Sequence, residues 1–109
     1  MHSRIDFDFL TPQGVRNYRE FMEDAAELVG SKYHGSLSGE HGDGQARAEL
    51  LPRMFGHQLV QAFREFKAIW DPDGKMNPGK VVDPFPITSN LRMGPMYQPP
   101  EIKGLFDYP

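Results

Sequence analysis

The sequence predicts an α+β chain of order β-α-β, followed by helices and an extended proline-rich tail. Three observations carry this reading. They are a period-2 alternation at the start, two apolar stripes at helical spacing, and a crowding of prolines at the end. Ile5, Phe7 and Phe9 alternate with Arg4, Asp6 and Asp8, the pattern of a half-buried strand. Thr11-Pro12 then reads as a helix start, with Thr11 capping and Pro12 in the first turn. Val15, Tyr18, Met22, Ala25 and Val29 follow at +3, +4, +3, +4, an amphipathic stripe with Arg16, Arg19, Glu20, Glu23 and Glu27 on the wet side. Gly30 is expected to end this helix.

Gly35 to Gly39 reads as a second short strand, leading into the glycine-rich Gly39-Glu40-His41-Gly42-Asp43-Gly44. A helical pattern resumes near Ala46, is reset by Pro52 and resumes after Gly56. Leu59, Phe63, Phe66 and Trp70 form the second stripe, and both stripes are expected to be core. Asp71-Pro72-Asp73-Gly74 stops it with turn chemistry. Of the ten prolines, eight follow Trp70, so the chain from Val81 cannot hold a helix for long. It reads as an extended arm. Its many apolar residues, among them Phe85, Ile87, Ile102, Leu105, Phe106 and Tyr108, predict that it lies across this domain or a partner. Two short strands make a marginal sheet. The chain is therefore expected to be a piece of a larger protein, or to self-associate through strand edges and an uncovered tail.

Composition narrows the function. Twelve Lys+Arg against fifteen Asp+Glu give a charge of -3 over 109 residues, so no net basic charge favours nucleic acid. Zero cysteines exclude disulfides, thiolate metal sites, iron–sulfur ligation and a Cys nucleophile within these residues. They also fit a reducing compartment, hence an expected cytoplasmic location. No apolar run approaches the ~20 residues of a membrane span.

Chemistry concentrates in Ser36-Leu37-Ser38-Gly39-Glu40-His41-Gly42-Asp43-Gly44. Histidine titrates near neutral pH and suits general-base work. In an extended segment Glu40 and His41 point to opposite faces, so they would not ligate one metal. The spacing G-x-x-G-x-G is a poor phosphate cradle, and Glu40 and Asp43 would repel phosphate. An ordinary turn is the competing reading. His34 and His57 each stand alone beside a glycine, and His2 is near-terminal. Arg47 and Arg53 could hold a carboxylate or phosphate, or be surface charges. Asn77, before Pro78, is expected to be extended. Its amide can donate and accept, as a heteroaromatic ring edge requires, and an ordinary turn asparagine fits as well.

Gly35-Ser36-Leu37-Ser38-Gly39-Glu40-His41-Gly42-Asp43-Gly44 is followed by Trp70-Asp71-Pro72-Asp73-Gly74-Lys75-Met76-Asn77-Pro78-Gly79-Lys80. These residues resemble the carboxy-terminal end of FAD-linked oxidases related to D-lactate, glycolate and D-2-hydroxyglutarate dehydrogenases. The two elements, in this order and about thirty residues apart, are specific together. Asp43 with Gln45-Ala46-Arg47 resembles the long members, in which an iron–sulfur domain follows. The resemblance implies a partial ferredoxin-like cap over residues 1–83. Residues 84–109 would be a connector toward a downstream domain with a 4Fe-4S cluster. It implies a companion FAD domain, FAD as cofactor, a 2-hydroxy acid substrate and, in some members, a divalent metal. His41 would be the base, Glu40 a metal ligand and Asn77 the flavin contact. Apart from the resemblance, Arg47, following the glycine stretch, is the candidate anchor for the substrate carboxylate. The parent would be an FAD-dependent dehydrogenase or oxidase, cytoplasmic or peripheral to the inner face of a membrane. The chain alone would be inactive. Two competing readings stay open: a small non-catalytic binding module using the glycine-rich loop, and a metal-dependent hydrolase using Glu40, His41, Asp43 and His34.

Overall fold

The computed structural model describes residues 4–98 and 100. Among them no strand forms, and the regular structure is helical. The expected α+β order, and with it the partial ferredoxin-like cap (β-α-β), is replaced by helices joined through irregular loops. The cause is local at Asp8. The Phe9 N–H donates back to the Phe7 carbonyl at 2.9 Å. The Asp8 carboxylate accepts from the Leu10 N–H and the Thr11 hydroxyl, both at 3.2 Å. An aspartate that captures neighbouring donors turns the chain instead of letting it extend. The second expected strand is bent in the same manner, by Ser36, whose hydroxyl donates to the Ser38 carbonyl at 2.7 Å. At Phe7 and Phe9 the alternation still describes packing, whereas Ile5 is 50% exposed. The Phe7 and Phe9 rings stand edge-on to Tyr18, with centroids 5.4 and 5.1 Å away.

Helix α1 spans Pro12–Ala26. Thr11 caps it, its hydroxyl accepting from the Gly14 N–H at 3.1 Å. A Cβ on Gly14 would stand 1.8 Å from the Asp8 carbonyl, so glycine lets the Asp8 turn fold onto the helix. Gly30 does not end the helix as expected. The helix widens into a π-helical stretch, Glu27–Lys32, and His34 follows in the left-handed region at φ 53. Gly30 is buried there, so close to the Arg53 backbone that a Cβ would meet its carbonyl at 3.2 Å. Close packing has displaced the cap.

Helix α2, Gly44–Arg47, runs through a 3₁₀ turn, Ala48–Leu50, into α3, Leu51–Trp70. The break after Phe55 is real: Gly56 sits at φ 76, ψ 160, outside any helical conformation. The core is small. Ala26, Leu50 and Ile87 pack together, with Tyr18, Met22 and Leu37 around them. Ile87 comes from the proline-rich arm and is 4% exposed, so the arm lies across this body at that point. Ile102, Leu105, Phe106, Tyr108 and His2 lie outside the described residues.

Glu49 joins the parts. Its carboxylate takes two N–H groups of Arg19 at 2.8 and 3.2 Å, from α1. It also takes the backbone N–H of Ile87 at 2.7 Å, from the arm. The hydrogen bond with Arg19 holds the Glu49 carboxyl below its ordinary range, against the opposing effect of burial. Arg19, expected on the wet side, is thus half of a tertiary clamp.

The second stripe departs from expectation. Phe66 and Trp70 are 65% and 68% exposed, and Leu59 is also exposed. Phe63 is covered in part by Phe55, edge-on at 5.5 Å.

Asp71 ends α3. Its buried carboxylate pairs with Lys67 and accepts the N–H groups of Lys75 at 2.8 Å and Met76 at 2.9 Å. Lys67 foremost, then these N–H groups, hold the Asp71 carboxyl below its usual range.

Both carboxyls are depressed by folding. Their stabilisation is therefore full above the ordinary carboxylate range and is lost as pH falls through it and below. Glu49→Gln is expected to cost ~1–2 kcal/mol in urea unfolding at neutral pH, the value for a charged hydrogen bond discounted for partial exposure. It should also flatten the acid limb of the stability–pH curve. Asp71→Asn is expected to speed amide exchange at Lys75 and Met76 while leaving α1 unchanged, since a single amide oxygen cannot replace two carboxylate acceptors.

Candidate active site

The glycine-rich loop after Ser38 is irregular, with Gly42 at φ 72 and Gly44 at φ 40. These left-handed positions are open to glycine at little cost. They fold the loop so that Glu40 and His41 face each other. Glu40 Oε2 lies 4.0 Å from His41 Nε2. The segment is bent rather than extended, so the opposite orientation expected of an extended backbone does not arise.

Both side chains line a cleft of about 670 Å³. One wall is apolar, from Ile5, Phe7, Phe21 and Met22 of the N-terminal segment and α1. The polar end carries Glu40, His41 and Arg47. Arg47 reaches it from the last position of α2. The Arg47 guanidinium makes no hydrogen bond or ion pair among the described residues. Its charge is felt by Tyr18: burial pushes the Tyr18 phenol up, and Arg47 pulls it partly back. Ser38 also lines the cleft, and its hydroxyl is buried without a hydrogen-bond partner. Asp43 Oδ1, beside the loop, is likewise buried and unpaired.

Asn77 does not line this cleft. It sits at φ 48, left-handed rather than extended, because the turn built on Asp71 sets its direction. The Gly74 N–H donates to the Asp71 carbonyl at 3.0 Å, and Lys67 Nζ donates to the Met76 carbonyl at 2.8 Å. Gly79, two residues on, lies under the Phe85 ring; a Cβ there would stand 2.2 Å from it. The Asn77 turn is nevertheless tied to the glycine-rich loop. Lys80 Nζ donates to Gln45 Oε1 at 2.6 Å.

The other candidates scatter. His34 and His57 are exposed. Arg53 pairs with Glu27 at 2.7 Å and staples the π-helical stretch to α3. Among the described residues no three His, Asp or Glu side chains gather to hold a metal. The hydrolase set of Glu40, His41, Asp43 and His34 is therefore not assembled, and Glu40 offers a cation a single carboxylate. A flavin ring fits better. The cleft pairs an apolar wall with a polar end and an unsatisfied Ser38 hydroxyl, which suits one face of a ring rather than an enclosed dinucleotide. Reading along the sequence did not single out Ser38 or the Lys80–Gln45 pair. Both lie inside the motifs, but burial and a partner 35 residues away leave no local signal.

The family model for FAD linked oxidases, C-terminal domain, matches residues 1–81. D-2-hydroxyglutarate dehydrogenase of Escherichia coli K12 is 36% identical over 108 residues, covering 98% of this chain and 10% of that protein. Glycolate oxidase subunit GlcD of the same strain is 36% identical over 82 residues, 75% of this chain and 16% of that protein. A D-lactate dehydrogenase of Archaeoglobus fulgidus is 37% identical over 67 residues, 62% of this chain and 15% of that protein. The chain thus spans only about a tenth to a sixth of these relatives. No solved structure matches it. With three quarters of its length under one family model and relatives of that kind along it, the chain belongs to the FAD-linked oxidases, as part of their C-terminal domain.

Proposed function

We propose that this chain forms the substrate side of a flavin-dependent dehydrogenase of 2-hydroxy acids, of the D-lactate, glycolate or D-2-hydroxyglutarate class. In this reading it works within a longer polypeptide that holds the flavin, and alone it is inactive. The observation that carries the reading is the convergence of Glu40, His41 and Arg47 on one cleft. Arg47, without an ion-pair partner among the described residues, takes the substrate carboxylate through its planar fork. An unprotonated nitrogen of His41 accepts the proton of the 2-hydroxyl as the carbonyl forms. Glu40 lies 4.0 Å from that imidazole on the same loop.

Flavin, when bound, supplies the acceptor for the hydrogen that leaves the 2-carbon as hydride. Asn77 is assigned to the flavin edge, where its amide can both donate and accept. If a divalent cation takes part, Glu40 contributes one oxygen and the remaining ligands come from outside this chain.

In the full-length flavoprotein, His41→Ala is expected to lower kcat by roughly 10²–10⁴-fold with flavin occupancy unchanged, the usual contribution of a positioned base. Stopped-flow reduction of the flavin by each 2-hydroxy acid measures it. Turnover within twofold of the wild type would overturn the assignment. Arg47→Met is expected to act mainly on KM, by roughly tenfold or more, since it removes a charged contact made before and during reaction.

A further inference from the structure

The Asn77 turn and the His41 loop belong to elements far apart in sequence, yet the proposed chemistry needs them in one register. We propose that Lys80 is the positioning residue that sets this register, acting through Gln45. The inference rests on the functional reading above and extends it to a residue with no assigned role.

Lys80 Nζ donates to Gln45 Oε1 at 2.6 Å, in a part-buried setting. Gln45 follows Gly44 directly, so the bond is anchored at the base of the loop that carries Glu40 and His41. Lys80 stands three residues after Asn77. Lysine can only donate, so the contact fixes the Gln45 amide with its oxygen toward Lys80 and its nitrogen away. Lys80 itself is held from the other side. Its ammonium lies 6.0 Å from the centroid of the Phe85 ring, within cation–π range. That ring packs on Gly79 where a Cβ would intrude to 2.2 Å, and the Phe85 N–H donates to the Gly79 carbonyl at 3.3 Å. The ring and the lysine therefore share one short, rigid loop.

The ammonium has no carboxylate partner among the described residues. A lysine used only for solubility would not be half-buried against a neutral amide, where desolvation costs more than the bond returns unless position matters. Arg47, two residues beyond Gln45, lies on the same short helix. A shift of that helix would move the carboxylate anchor as well, and displacements of about 1 Å are enough to cost roughly 10²-fold in rate.

The test has two arms. In the full-length flavoprotein, amide exchange is read in Lys80→Met at Arg47, whose N–H donates to the Asp43 carbonyl at 3.0 Å, and in Gln45→Leu at Met76 and Phe85, whose N–H groups donate to Asp71 at 2.9 Å and to the Gly79 carbonyl at 3.3 Å. The expected result is reciprocal: each substitution speeds exchange in the other motif by about fivefold or more, with α1 amides unchanged and Lys80→Arg restoring protection. Unchanged exchange across the two motifs would overturn the tether. In the full-length flavoprotein, Lys80→Met is expected to lower kcat about tenfold with flavin occupancy unchanged, and Lys80→Arg to recover most of it. Equal loss in the methionine and arginine variants, or no loss in either, would overturn the positioning role. His41→Ala serves as the separate check. If it leaves turnover intact while the exchange arm succeeds, the functional reading fails and the tether stands.

Discussion

Glu49 carries more of this fold than any apolar residue. One carboxylate receives two N–H groups from Arg19 and one from Ile87, and so joins α1, the 3₁₀ turn and the arm. The apolar cluster behind it is only Ala26, Leu50 and Ile87 with a partial rim. With so little burial available, a charge-assisted junction decides where the arm lies. Multi-donor recognition by a carboxylate is directional in a way that oily contact is not. It places Ile87 at one depth and one orientation. The cleft inherits this precision, because its wall from α1 and its polar end from α2 meet across the same junction.

A second constraint runs along α3. Its first turn is buried at Leu51, its last is locked by Asp71, and between them an apolar face looks outward. Such a face belongs to a body that finishes its packing with other residues, and the short span relative to the family's full length is in keeping with that.

Much of this was legible in the sequence, and the failures have physical reasons. Thr11-Pro12 marked the start of α1, Gly56 the interruption of α3, and Asp71-Pro72-Asp73-Gly74 its end, because caps, breakers and turns act over a few residues. The two motifs pointed to the family for the same reason: they are contiguous. The strand reading of Ile5 to Phe9 failed because alternation reports which side chains are covered, and the Asp8 turn covers Phe7 and Phe9 without a ladder. Gly30 misled because a buried glycine under the Arg53 backbone looks in sequence like a terminal one. Asn77 was read from its proline neighbour, while the Asp71 carboxylate organises the turn that contains it. Arg19–Glu49 and Lys80–Gln45 join residues 30 and 35 positions apart; nothing local announces such pairs.

The break at Gly56 has a consequence for how the molecule assembles. Helix growth is cooperative only along an unbroken ladder, and a residue at φ 76, ψ 160 transmits no helical order. The segment from His57 to Trp70 must therefore nucleate separately from the turn before it. At its length an independent helix is close to the ~12–15-residue margin below which helices rarely persist in water. Its survival falls to the terminal ion pair and to whatever packs along its side. Order in this segment should then arrive late, after the junction at Glu49 has closed, and be the first to melt.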